Sequence, residues 1–285
     1  MASSPPARPS LSASSRSPLP SAPCLSRDSV VAALRTAGCV FAEDEAALLM
    51  AAARTAGELT ALIDRRVSGL PLELVLGWAE FRGLRVAVAP GVFVPRRRTE
   101  FLVDEALAHA PHASVVVDLC CGSGAVGAAL AAALDRPEVH AADVDPAAVR
   151  CARGNLADAG GRVYAGDLFD ALPENLRGRV DILAANVPYV PTAEVALLPA
   201  EARDHEPLVA LDGGADGLDV LRRVAAEAPR WLAPGGCLLV ETSEAQTPAA
   251  VASFTRAGMT TRVAESEELY AHVVTGVRDQ RDRHL

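Results

Sequence analysis

Residues 115–134 read VVVDLCCGSGAVGAALAAAL. Val115, Val116, Val117 and Leu119 form a short β-branched and apolar run, which predicts a buried strand. Gly122, Gly124 and Gly127 follow in a G-x-G-x-x-G spacing, and the Ala- and Leu-rich run after them predicts a helix. Glycine admits a tight turn and lets a ligand approach the backbone, so the stretch reads as the opening unit of a ligand-binding α/β domain. The glycines alone do not choose the ligand, because the same spacing serves the pyrophosphate of a nicotinamide cofactor at a helix N-terminus. Asp118 narrows the choice. It stands near the strand end, where a carboxylate can order the glycine loop and face an ammonium group. S-adenosylmethionine carries that ammonium, a sulfonium and no phosphate, so the loop is read as its site.

The same alternation continues outward. Strands are predicted over EVHAADV (138–144), RVYAGDLF (162–169, with its loop), VDILAANVPY (180–189) and GGCLLVETS (235–243). Two more follow, TTRVAES (260–266) and AHVVTGV (271–277). Helices are predicted over DPAAVRCARGNLADAG (145–160) and AAVASFTRAG (249–258). Strands alternating with helices of this length imply a doubly wound, mostly parallel sheet with right-handed crossovers. Ligands of such sheets bind beyond the carboxyl edge of the strands. Two further acids fall on that edge. Asp143 is placed to accept the hydroxyls of an adenosyl ribose, and Asp167 either faces an adenine amino group or caps a turn. Asp145 precedes Pro146 and reads as a helix N-cap.

The fourth strand ends unusually, in Asn186-Val187-Pro188-Tyr189. Pro188 biases Val187 to extended geometry, which turns its carbonyl into a fixed acceptor. Tyr189 supplies a flat wall. Such a corner suits a planar amide or an exocyclic amine, whose nitrogen lone pair is delocalised. The Asn186 side-chain oxygen and the Val187 carbonyl can hold the two hydrogens and aim the lone pair at a methyl group. No strong base is needed, because the nitrogen becomes acidic only as the new bond forms.

Ahead of this domain, RDSVVAALRTAG (27–38) and AEDEAALLMAAARTAGELTALIDRRVSG (42–69) carry helical periodicity. GWAEFRGLRVAVAPGVFVPRRRTE (77–100) alternates around Gly83 and Pro90-Gly91 and predicts a hairpin ending in Arg96, Arg97 and Arg98. The expected divisions are an extension over 1–26, helices over 27–79, a hairpin linker over 80–98, the main domain over 99–278 and a tail over 279–285. The first 23 residues hold six prolines and eight serines, a composition expected to stay disordered. A net charge of -9 argues against stable nucleic-acid binding. The six cysteines show neither a CxxC pair nor zinc spacing, no metal is expected, and a reducing cytoplasm is the expected compartment. No apolar run is long enough to predict a membrane span.

Taken together, these blocks resemble the glutamine-N5 protein methyltransferases that modify peptide chain release factors. The resemblance covers roughly Arg27 to Arg278 and rests on the linker, DLCCGSGAVG, ADVDPAAVRCARGNL, NVPY, EPLVALDGGADGLDVLRRV and GGCLLVETSEAQ. It implies a Rossmann-like class I methyltransferase with a mostly parallel seven-stranded sheet, preceded by a small helical domain and a β-hairpin linker. It implies that Gly122, Gly124, Asp143 and Asp167 contact S-adenosylmethionine, alongside Asp118 and Asn186. It further implies that Asn186, Val187, Pro188 and Tyr189 receive the glutamine of a Gly-Gly-Gln loop in a release factor, in a ribosomal context. Two departures stand out. Val187 replaces the first proline of the family's NPPY, which adds an N–H and loosens φ. Arg97 and Arg98 replace a proline and a glutamate of the linker, which adds positive charge near the docking side. NPPY-type corners also occur in adenine-N6 methyltransferases, so methylation of DNA or RNA is the competing activity. A non-enzymatic scaffold is the third reading.

Overall fold

The computed structural model describes residues 25–279. The expected disorder of the first 23 residues and most of the expected tail lie outside them. The contacts divide the chain after Ile63 into two compact units.

The first unit is helical. In α1 (Arg27–Thr36), Ser26 caps the N-terminus by accepting the Ser29 N–H, and Val30 and Leu34 are buried. In α2 (Ala42–Ala52), three acids occupy the first turn, where the helix dipole favours them, and Ala42, Ala46 and Leu49 face inward. The division falls within α3 (Ala56–Val67). Phe41, just before α2, is 68% exposed.

The second unit opens with α4 (Leu72–Leu76), stopped by Gly77 in the left-handed region at φ 81°. Next, β1 (Trp78–Phe81) and β2 (Leu84–Ala87) pair antiparallel. Their two-residue turn has Arg82 and Gly83 both at positive φ, 49° and 73°, which matches the twist of a tight hairpin. A short 3-10 turn over Arg97–Thr99 leads into α5 (Glu100–His109). The α/β alternation then runs β3 (Val115–Leu119), α6 (Ala125–Ala133), β4 (Glu138–Asp143), α7 (Pro146–Asn155), β5 (Arg162–Ala165) and β6 (Val180–Ala185). It closes with α8 (Ala200–His205), α9 (Asp219–Trp231), β7 (Leu232–Thr242), α10 (Thr247–Arg256), β8 (Thr260–Ser266) and β9 (Ala271–Val277).

The strands form one seven-stranded sheet in the order β5-β4-β3-β6-β7-β9-β8. The first five in this order are parallel, and β9 runs antiparallel to both β7 and β8. This is the Rossmann-like, mostly parallel seven-stranded sheet that the resemblance implied. Alternate residues bury opposite faces. Val117, Leu119, Leu183, Ala185, Leu238 and Val240 pack with α9 and α10 through Leu221, Val224 and Phe254. Val116, Ile182, Ala184 and Leu239 pack with α5, α6 and α7 through Leu102, Val126 and Val149. A sheet covered on both faces explains why these strands read as continuous apolar runs. The chain winds outward from β3 to β5 and then restarts at β6 beside β3, so the order reverses between β3 and β6. Among the described residues, no helix is long and apolar enough to cross a membrane.

Candidate active site

A cavity of about 730 Å³ lies over the carboxyl edge at this reversal. Asp118, Gly122, Asp143, Asp167, Asn186, Val187, Pro188 and Tyr189 all line it. Gly124, expected to touch the cofactor, sits one step back as the N-cap of α6. There it has φ 79°, and a Cβ would come 3.0 Å from that of Ala152. Its role in the geometry is close packing of the loop on α7.

Asp118 is 1% exposed and accepts the Gly127 N–H at 2.8 Å. A Cβ at Gly127 would stand 3.2 Å from that carboxylate oxygen. The acid therefore stitches β3 to α6 through the last glycine of the motif. Burial pushes its pKa up to about 8, opposed by the Gly127 N–H and reinforced by Asp143. Asp143 accepts the Gly122 N–H and the Asp145 N–H, each at 2.9 Å, which fixes its carboxylate at the loop. Each oxygen retains a lone pair for a hydroxyl donor. Burial raises its pKa as well. Asp145 caps α7, accepting the Ala147 N–H at 2.7 Å. Asp167 has one oxygen held by Arg223 at 2.6 Å and half of its side chain exposed.

Burial favours the neutral form of Asp118, a cation beside it would favour the charged form, and Asp143 offers acceptors for a diol. S-adenosylmethionine supplies an ammonium and a ribose diol, and the cavity's size accommodates it. The residues fit this cofactor. Cys120, also in the wall, lies at φ 54°. Burial and the surrounding carboxylates raise its thiol well above the ordinary range, so it stays a neutral thiol.

Asn186 follows β6, and its Oδ1 is buried with no hydrogen-bond partner. Val187 is 1% exposed and joins the core face of Leu183 and Ala185. It continues the alternation of β6 beyond the last ladder bond. The expected loosening of φ is thus countered by burial of the side chain, which stabilises the corner by about 1.5–3 kcal/mol. Among the described residues, the Val187 carbonyl accepts no hydrogen bond from the protein.

The rest of the corner is clamped. Val190 donates to Leu211 O at 3.0 Å and accepts from Gly213 N at 2.9 Å. Gln246 Nε2 donates to Tyr189 O at 2.8 Å. A Cβ at Gly213 would come 2.6 Å from Pro188 O, and one at Gly217 would come 2.2 Å from Tyr189 O. The DGGADG segment therefore presses its bare backbone onto the corner. Asn186 Oδ1 and Val187 O thus lack a hydrogen-bond partner among the described residues while the backbone carrying them is fixed.

The three linker arginines do not share one fate. Arg97 is 78% exposed, with only a loose contact to Glu268. Arg96 pairs with Glu206 at 2.6 Å and Arg98 with Glu241 at 2.8 Å, and both glutamate side chains are almost fully buried. The expected patch of added positive charge thus reduces to Arg97. Arg98 also donates to the Tyr189 hydroxyl. Tyr189 is pushed up to about 12, first by burial and then by Glu241, so its phenol stays protonated.

Residues 83–200 match the family model Methyltransferase small domain. A release factor glutamine methyltransferase of Geobacter sulfurreducens is 42% identical over 199 residues, 69% of each chain. That of Mycolicibacterium smegmatis is 41% identical over 211 residues, 73% of this chain and 74% of its own. A 4-amino-L-phenylalanine/4-methylamino-L-phenylalanine methyltransferase of Streptomyces pristinaespiralis is 36% identical over 224 residues, 76% of each. Among solved structures, a methyltransferase from Pyrococcus furiosus superposes with a TM-score of 0.53 at 16% identity, over 70% of this chain and 90% of its own. At that identity the superposition speaks for the fold alone.

Proposed function

The chain belongs to the release factor glutamine methyltransferase family, and on that premise we propose that it methylates the side-chain amide nitrogen of a protein glutamine, in the Gly-Gly-Gln loop of a peptide chain release factor. The observation that carries this reading is that the buried Asn186 Oδ1 and the Val187 carbonyl both lack a hydrogen-bond partner among the described residues, on a cavity that Asp118 and Asp143 also line.

The cofactor supplies an electrophilic methyl group on a sulfonium. Asp118 would meet its ammonium, and Asp143 its ribose hydroxyls. Gly122 and Asp167 would border the adenosine. Asn186 Oδ1 and Val187 O accept the two amide hydrogens, so the nitrogen lone pair points out of the amide plane toward the methyl. Pro188 keeps the corner extended, and Tyr189 lies flat against the amide. The acceleration comes from alignment and from a fixed polar field, not from a strong base. As the bond from nitrogen to the methyl carbon forms, the sulfur–methyl bond would break to leave a neutral thioether, and the nitrogen would release its proton to solvent. The protein partner is met in the cytoplasm, where release factors work on the ribosome.

The test is incubation of the full chain with S-adenosylmethionine and release factor fragments carrying Gly-Gly-Gln, followed by peptide fragmentation. One added methyl on the glutamine is expected. Parallel reactions use an adenine-containing oligonucleotide and 4-aminophenylalanine. Methylation of either, with none on glutamine, would overturn the assignment.

A further inference from the structure

We propose that Arg98 is a positioning residue, which transmits the fixed placement of Glu241 on β7 to the ring of Tyr189 and so holds the flat wall of the site. The inference rests on the glutamine reading for its kinetic arm only.

Glu241 is held by the register of the sheet, opposite Val273 of β9, with its side chain 3% exposed. Its Oε2 has no hydrogen-bond partner, so the contact from Arg98 Nε to Oε1 at 2.8 Å carries its neutralisation. A buried carboxylate pinned by a strand is a rigid anchor, and its counter-ion inherits that rigidity. The same guanidinium donates through Nη2 to the Tyr189 hydroxyl and lies 5.5 Å from the ring centroid. The main chain of Tyr189 is already held by Gln246. That bond leaves the side chain free to swing about χ1; the contact at the phenol fixes where the far end of the ring lies. Arg98 spans Glu241 and Tyr189 because its donors diverge in one plane. A lysine offers a single point charge, so it can neutralise Glu241 but not hold both partners in one geometry.

That difference separates positioning from support of the fold. The full-length chain would carry Arg98→Lys, and separately Arg98→Met with Glu241→Gln, which removes both charges together. Each would be made with and without Tyr189→Phe. Arg98→Lys is expected to keep the parent's melting temperature and S-adenosylmethionine affinity, yet lower kcat on the glutamine peptide about tenfold with less effect on KM. In the Tyr189→Phe background the same change should cost less than about twofold, because the contact it breaks is already gone. In protein labelled with carbon-13 and nitrogen-15, three-bond couplings to Tyr189 Cγ should report one χ1 rotamer in the parent and averaged rotamers in Arg98→Lys and in the Met/Gln pair. Additive kinetic losses, or couplings unchanged by Arg98→Lys, would overturn the proposal. If the parent methylates no glutamine, the function reading fails, and the χ1 comparison still decides this one.

Discussion

Leu119 of β3 and Ala185 of β6 stand opposite each other in the parallel ladder. The next residue on each strand leaves the sheet at the same height, so the glycine loop and Asn186 emerge side by side. On the proposed reading, methyl donor and acceptor amide would meet through the register of two adjacent strands.

Asn186→Ala removes one of the two unpartnered oxygens. Cofactor affinity should stay within about twofold, while transfer falls about 100-fold or more, the size of effect seen when one aligned polar group is lost. Calorimetry with S-adenosylmethionine and single-turnover kinetics on the glutamine peptide check the two halves. Equal transfer by mutant and parent would refute the role.

Asp143→Ala should weaken binding of S-adenosylmethionine and of its demethylated product about tenfold or more, since a charged acceptor for the ribose is lost. NAD should not bind the parent. A calorimetric preference for NAD would sink the cofactor assignment.

Asp118 gives a pH signature. Its folded pKa of about 8 exceeds the ordinary value of 3.8. Between these values the unfolded chain holds fewer protons at this site than the folded one, so stability falls as pH rises from about 4 to about 8. Asp118→Asn keeps an acceptor for Gly127 and removes the titration. Its melting temperature should gain on the parent's as pH rises through that window, while cofactor affinity drops for want of the carboxylate. A parallel pH dependence in mutant and parent would disprove the linkage.

Val187→Pro restores the tetrad's commoner form. The carbonyl persists, Pro188 still enforces extension, and the ring fills part of the same buried space. Transfer to glutamine is expected at or above the parent's rate, with stability within about 1.5 kcal/mol. Loss of transfer with intact folding would mean that the valine side chain itself is required.

Gly217→Ala tests the clamp. At φ 77°, with Tyr189 O only 2.2 Å from the added carbon, the backbone must move. Thermal melting should show a loss of about 1–3 kcal/mol, and transfer should fall while cofactor affinity holds. Unchanged kinetics would show that this segment does not set the corner.

Much of this architecture is readable in the chain because its cues are local. The valines of β3, the glycines after them and the alternating strands follow from period and turn chemistry within a few neighbours. Asn186 announces itself by breaking a buried run with an amide. The helices α5 and α9 were less legible. The first begins at the charged end of the linker, and the second carries Pro229 inside its last turns. The partners of the linker arginines were not legible at all. Glu206 lies 110 residues from Arg96, and Glu241 lies 143 residues from Arg98. No periodicity connects positions so far apart; only the sheet does. Val187 shows the same limit, since its tetrad reads as a loosened loop, whereas the β6 alternation makes it a core residue.

That core placement has a dynamic consequence. To release the corner, the chain must pull a fully buried side chain out from between the sheet and α9. The cheap local opening available to ordinary surface loops is closed to it. Amide exchange at Asn186 and Tyr189 should follow unfolding of the sheet, while exchange across residues 192–210 proceeds through smaller fluctuations. The two halves of the mouth would then work on different clocks. On the proposed reading, the first would hold the amide with the stability of the fold itself, and the second would adjust to the protein surface that carries it.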